Sequence, residues 1–207
     1  MTHPRRERRT LGASPLGAPG HYEFRAPVEL QTDGKTIFGY AAVFNSLSQD
    51  LGGFREKIAP GAFKRTLGDG LEKFCLWSHI DHCILGSQGN GTLRLSEDSK
   101  GLYFEADTPD GVSYANDVRN LLKQKYISKC SFGFRCYENG STWFEDVDGS
   151  VTRTLVAVQL FEVSVLGSPA YLETEADIRT ARDELATYKR SKRSPLETRL
   201  KLIELSA

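Results

Sequence analysis

A histidine, a serine and a glutamate at separate points of the chain could share one piece of chemistry. His79 directly follows an apolar run in Phe74-Cys-Leu-Trp-Ser-His79-Ile-Asp-His82-Cys83. At a strand end an imidazole can act as a general base near neutral pH, or it can be a structural histidine satisfied by its neighbours. Ser131 lies in Lys129-Cys-Ser-Phe-Gly-Phe-Arg135, where alternation sets Cys130, Phe132 and Phe134 on one face and Ser131, Gly133 and Arg135 on the other. A face of hydroxyl, glycine and guanidinium leaves room for a substrate backbone. Gly133 permits close approach, and Arg135 or a nearby backbone N–H can stabilise an oxyanion. The alternative for Ser131 is a strand serine bonded to its neighbour.

Glu162 belongs to Leu155-Val-Ala-Val-Gln-Leu-Phe-Glu162-Val-Ser-Val-Leu166, on a face that by strict alternation also carries Val156, Val158, Leu160, Ser164 and Leu166. A carboxylate among aliphatic side chains costs desolvation unless it is hydrogen-bonded, and a histidine N–H is a natural partner. Otherwise it sits at a frayed edge and points into water. Nucleophile, base and orienting acid from three strands are the parts of a hydrolase triad, although spacing alone does not bring them together.

Cys75, His79, His82 and Cys83 also form C-x3-H-x2-H-C, all of them zinc-ligand types. Structural zinc sites join two separated ligand pairs, and one cramped cluster makes a poor tetrahedron. Cys130 and Cys136 complete a site only if their strand is adjacent. The expectation is no metal.

The elements that must position these residues read mostly as β. Lys35–Phe44 and Phe74–Ser78 are strand candidates, and Asp50–Phe54 is a turn. Thr92–Leu95 leads through Asp98–Gly101 into Leu102–Asp107, where Leu102, Phe104 and Ala106 alternate with Tyr103, Glu105 and Asp107. Ser128–Tyr137 and Thr142–Phe144 flank Asn139-Gly140 and read as a hairpin, and Asn90-Gly91 is a second hairpin signal. Thr154–Leu166 reads as one long β run. Helices are expected at Ile58–Leu67, with Phe63 and Leu67 stacked at i, i+4, and at Ser113–Tyr126. The face of the second is Tyr114, Val118, Leu121, Leu122 and the Lys125 stem. A polar helix is expected over Glu173–Tyr188 and a short amphipathic one over Leu196–Leu205. The fold class is α+β and β-rich: a curved antiparallel sheet or closed β-barrel of about seven strands with helices around it.

With 207 residues the chain can bury a core without disulfides or metal. Its 27 basic and 27 acidic residues balance, which argues against a dedicated nucleic-acid binder. Residues 1–9 carry +3 and residues 176–207 carry +3, so the part between carries −6. Residues 1–20, arginine-rich and then Pro/Gly-punctuated, are expected to be a disordered basic arm. Residues 21–175 are the expected domain, and 176–207 a basic helical or flexible tail. No stretch approaches the ~20 apolar residues of a membrane helix. No secretory signal is expected, and a reducing compartment is the default for the four cysteines.

The chain resembles the prohead serine proteases of tailed bacteriophages, whose fold is similar to the herpesvirus assembly protease. The matching stretches run from about Phe38 to Tyr171. They are Gly39–Asn45, Phe54–Phe63, Leu76-Trp-Ser-His79 with Leu85-Gly86, Gly91–Leu95, Gly101–Ala106, Cys130-Ser-Phe-Gly-Phe134 and Phe161-Glu-Val-Ser-Val165, followed by Pro169-Ala-Tyr171. The resemblance implies Ser131 as nucleophile, His79 as general base and acid, and Glu162 as the orienting acid. Family members commonly carry an acid directly after the histidine. Here Ile80 stands there, with Asp81 and then His82 following, and the herpesvirus relatives use a second histidine. His82 is therefore the alternative third member.

The implied activity is serine endopeptidase action inside an assembling procapsid in the host cytoplasm. It would be directed at the scaffold portion of the major capsid protein and at the enzyme itself, with no metal or organic cofactor. Self-association, self-cleavage of the basic ends and their tethering to an acidic scaffold fit the same picture. The competing reading is a catalytically inert capsid-assembly module of the same fold.

Overall fold

The computed structural model describes residues 30–167 and 181–192. The arm at 1–20, the Pro169–Tyr171 motif, the start of the helix expected from Glu173 and the amphipathic Leu196–Leu205 lie outside them. The elements are β1 (Gln31–Thr32), β2 (Thr36–Val43), β3 (Arg55–Ile58), α1 (Lys64–Leu67), β4 (Phe74–Trp77), β5 (Ile80–Ser87), β6 (Leu93–Glu97), β7 (Gly101–Asp107), α2 (Ser113–Lys123), β8 (Lys129–Cys136), β9 (Ser141–Glu145), β10 (Val151–Leu155) and β11 (Val158–Leu166). Residues 181–192 are helical.

The strands make three sheets, ordered β1-β2-β7-β6, β3-β10-β9 and β5-β4-β11-β8. This corrects the expected single curved or closed sheet of about seven strands. The structure is β-rich with few helices, and among the described residues the strands do not close into a barrel. The sheets are not purely antiparallel either, because β4 runs parallel to β11 and β3 parallel to β10.

The first sheet follows its pattern: Leu102, Phe104 and Ala106 are fully buried, while their alternates on β7 are half-buried. Its inner face and that of the β5-β4-β11-β8 sheet share one core, to which Phe63, ahead of α1, contributes an edge-on contact with Phe132 at 5.5 Å. Phe132 in turn stacks on Phe134 at 5.0 Å. Burial of Cys130, Phe132 and Phe134 sets the register of β8, since a one-residue slip would exchange its two faces.

Both Asn-Gly turns behave differently from the hairpin expectation. β8 pairs with β11 and β9 with β10, so the chain changes sheets at Asn139-Gly140. The crossing is shared: the Val156 and Ala157 N–H groups donate to the Gly140 carbonyl, and Tyr137 N–H donates to the Ala157 carbonyl. The long run predicted over Thr154–Leu166 is therefore broken at Val156-Ala157 into β10 and β11. Asn90-Gly91 likewise connects β5 to β6, which belong to different sheets. Local turn chemistry specifies a bend but not which strand pairs beyond it.

The expected helix at Ile58–Leu67 shrinks to α1, because Ile58 is spent on the ladder with Leu155 and Gly61 turns at φ 92°. Lys125 does not extend α2. It lies past the helix end at φ 62°, with the Tyr126 N–H donating to the Leu121 carbonyl, a Schellman termination that turns its side chain out. Ala181 and Leu185 of the 181–192 helix join Leu51, Phe54 and Val151 in a second cluster, so this segment packs on the body. No helix among the described residues is long and apolar enough to cross a membrane.

Candidate active site

The β5-β4-β11-β8 sheet carries all three triad candidates. β4 and β5 are joined by a two-residue turn, with Trp77 paired to Ile80 and both Ser78 (φ 53°) and His79 (φ 59°) left-handed. Such a turn requires positive φ at both centres and normally uses Asn and Gly. For non-glycine residues this costs about 1–2 kcal/mol each and persists only when neighbours hold it. Here Ser78 N–H donates to the Val165 carbonyl at 2.9 Å and His79 N–H to the Ser164 hydroxyl at 3.2 Å. The turn thus projects the imidazole from the end of β4, where the apolar run Phe74–Trp77 stops.

Glu162 reaches the same place by a bulge. Leu160 pairs with Phe134 and Glu162 with Gly133, leaving Phe161 as the extra residue in β11. Strict alternation would have set Glu162 beside Val158 and Leu160, facing the core. The bulge instead turns Glu162, Ser164 and Leu166 to the face that holds Ser131 and Gly133, and Val163 and Val165 take over the core side. The predicted face partners of Glu162 are corrected accordingly: Ser164 and Leu166 stay, Val156, Val158 and Leu160 do not. Nor is Glu162 at an edge, since β11 lies between β4 and β8.

Glu162 is 2% exposed. Its Oε1 stands 2.7 Å from Nδ1 of His79, and its Oε2 accepts the Ser164 hydroxyl at 2.5 Å. An ionised carboxylate only accepts, so Nδ1 carries the proton and Nε2 is the basic nitrogen of the neutral ring. Ser164 holds both partners, since its oxygen also receives the His79 backbone N–H. This residue was not singled out from the sequence. The signal was there, however: a hydroxyl two residues from the carboxylate on the same strand face.

Ser131 pairs with Ser164 across the β8–β11 ladder, two residues along from the Glu162–Gly133 pair. Directly opposed side chains in such a ladder have Cβ atoms about 4.5–5.5 Å apart. The expected open face is covered in this conformation: Ser131 and Ser164 are fully buried. The Ser131 hydroxyl makes no hydrogen bond among the described residues, so it is not a strand serine satisfied by its neighbour. Arg135 is exposed, and its guanidinium donates to Gln159 Oε1 at 2.6 Å and lies over the Phe161 ring, four residues along β8 from Ser131. His82 is exposed on β5 and forms no hydrogen bond or ion pair among the described residues.

Two of the cysteines stand apart from this face. Cys75 and Cys130 are buried on the core side, where burial, with the charge of Glu162 adding to it, pushes both thiols well above their ordinary value. Neutral thiols facing a hydrocarbon core are inert. Among the described residues no group of three or more His, Cys, Asp or Glu is placed to hold a metal ion.

The sequence model of the caudovirus prohead serine protease family matches residues 21–191. The chain belongs to that family. The match is wider than the run of motifs from Phe38 to Tyr171 and takes in residues 181–191 of the packed helix. It accounts for a serine peptidase class and a role in the bacteriophage prohead, during capsid maturation. No curated protein and no solved structure matches the chain.

Proposed function

We propose that this prohead protease is a serine endopeptidase in which Ser131 is the nucleophile, His79 the general base and acid, and Glu162 the orienting carboxylate. One observation carries the assignment: a buried glutamate bonded at 2.7 Å to Nδ1 of a histidine, on the sheet face of a serine whose hydroxyl makes no hydrogen bond among the described residues. A buried hydroxyl without a partner costs about 1–3 kcal/mol and calls for a reason. A nucleophile kept for substrate and base supplies one.

In the reaction Ser131 Oγ attacks the scissile carbonyl carbon. His79 Nε2 takes the hydroxyl proton and later delivers it to the leaving amine, while Glu162 stabilises the imidazolium. Ser164 keeps Glu162 and the His79 backbone in register. The geometry favours Glu162 over His82 for the third role, because Glu162 meets Nδ1 and His82 is exposed. Gly133, buried opposite Glu162, adds no side chain to the covered face beside Ser131.

The substrate is the scaffold portion of the major capsid protein, together with the enzyme's own basic ends, cut inside the procapsid. The −6 body between two +3 ends supports docking of those ends on an acidic scaffold surface. The test is co-expression of the capsid protein with the wild-type chain, Ser131→Ala or His79→Ala, followed by intact-mass measurement of both proteins. Scaffold removal and self-trimming should occur only with wild type. Unchanged processing in both variants would sink the assignment.

A further inference from the structure

β11 does not hold its bulge alone. On the edge away from β8, β4 reaches β11 only from Glu162 onward, where Glu162 pairs with Phe74. Ahead of the bulge the partners on that side come from the segment around α1. Val158 N–H donates to the Ala62 carbonyl at 3.0 Å, and Leu160 N–H donates to the Thr66 hydroxyl at 3.0 Å. A side-chain oxygen thus stands in for a ladder carbonyl at the residue before the bulge.

That oxygen is itself aimed. Thr66 is fully buried, and its hydroxyl proton goes to Asp69 Oδ2 at 3.1 Å. Asp69 Oδ1 is occupied in turn by the buried Lys73 ammonium at 2.7 Å and the Leu71 N–H at 2.9 Å. With its proton committed to Asp69, Thr66 presents a lone pair to β11. The turn ahead of α1 is fixed as well, since Glu97 accepts the Gly61 and Phe63 N–H groups at 2.7 and 3.0 Å.

We propose that Thr66 is a positioning residue for the peptidase reaction: by taking the Leu160 N–H it holds the bulge at Phe161 and so keeps Glu162 against His79. The inference rests on the triad reading above. Without the hydroxyl a buried N–H is left unpaired and β11 loses its anchor at the residue before the bulge, so the bulge is no longer held at Phe161 and can move past Glu162. Phe161 would then pair with Gly133, and Glu162 would turn with the core face of β8.

The test uses the full chain with Thr66→Val, Thr66→Ala and Thr66→Ser, each checked for folding by its thermal midpoint. Two readouts are taken. One is the rate at which a fluorophosphonate probe labels Ser131, with Ser131→Ala as blank. The other is the far-downfield proton resonance of an imidazole N–H bonded to a carboxylate, assigned by its loss in His79→Gln. Folded Val and Ala variants should lose the resonance and label about a hundredfold more slowly, as a small misplacement of a catalytic group can cost. Thr66→Ser should keep both. The proposal is overturned if either variant folds and keeps both signals. It is also overturned if neither folds, because the hydroxyl would then support the fold as a whole and not the facing of Glu162. Absence of Ser131 labelling in wild type would instead sink the triad reading, and the resonance, which needs only His79 and Glu162, would still decide the role of Thr66.

Discussion

Replacing Glu162 by glutamine keeps the shape of the buried side chain and removes its charge. The amide oxygen can still accept from His79 Nδ1, 2.7 Å from Oε1 in the native chain, and the amide nitrogen can face Ser164. In the proposed reaction, what is lost is the attraction between the carboxylate and the imidazolium that would form as Ser131 gives up its proton. With charge centres about 4 Å apart and an effective dielectric near 20, that attraction is about 4 kcal/mol. A neutral hydrogen bond retains about 1 kcal/mol of it. The net loss of about 3 kcal/mol corresponds to roughly two orders of magnitude in rate.

The effect belongs to the transition state, so kcat should fall with KM unchanged, and the probe-labelling rate of Ser131 should fall with it. Stability should hold or rise, because removing a buried charge also removes its desolvation cost. The assay is the initial rate of fluorophosphonate labelling at matched folded protein, alongside scaffold removal in co-expression. If Glu162→Gln works within about threefold of wild type, the carboxylate takes no part in the proton transfer and the reasoning fails. His82→Gln, expected to be silent, would then become the variant to examine.

Two predictions concern the scaffold of the site. Gly140 stands where the chain crosses between sheets, and a Cβ there would collide with the Ala157 carbonyl oxygen and the Tyr137 backbone. Gly140→Ala should lose about 2–3 kcal/mol, read as a melting temperature lowered by roughly 4–10 °C; an unchanged midpoint would show that the crossing can relax. Asp107 is gripped by Arg94 at 2.7 Å and by the Thr36 hydroxyl at 2.7 Å, which hold its carboxyl down at about 2. Its folded value lies below its unfolded one, so its stabilisation is complete above about pH 4 and is lost as pH falls through 2. Both partners are part-exposed, which screens the pair to about 1 kcal/mol at neutral pH. Chemical denaturation of Asp107→Asn against wild type should show that gap near pH 7 and only a small remainder of it near pH 2. A gap that persists undiminished in acid would contradict the assignment.

Much of the site was legible because each triad candidate breaks an apolar pattern. His79 ends the run Phe74–Trp77, Ser131 opens the small face of a strand whose other face is Cys130, Phe132 and Phe134, and Glu162 interrupts aliphatic residues. The alternation of β7 and the core of α2 were legible for the same reason: periodic burial leaves a period in the sequence. The pairing beyond the Asn-Gly turns was not. Asn139-Gly140 marks a bend, but whether β9 folds back on β8 or crosses to β10 depends on which face of each strand is already covered.

The amino-acid order by itself therefore determined the family and its serine-peptidase class, and it put forward the residues proposed to act, since residue type and apolar periodicity are local properties. It did not determine that Glu162 faces His79. Read by strict alternation, Glu162 points into the core with Leu160; one unpaired residue, Phe161, reverses that. A bulge arises from competition between two neighbouring strands and the segment around α1, where Thr66 takes the Leu160 N–H. Those partners lie about 90 residues apart in the chain, farther than any periodic pattern reaches, and only tertiary packing brings them together.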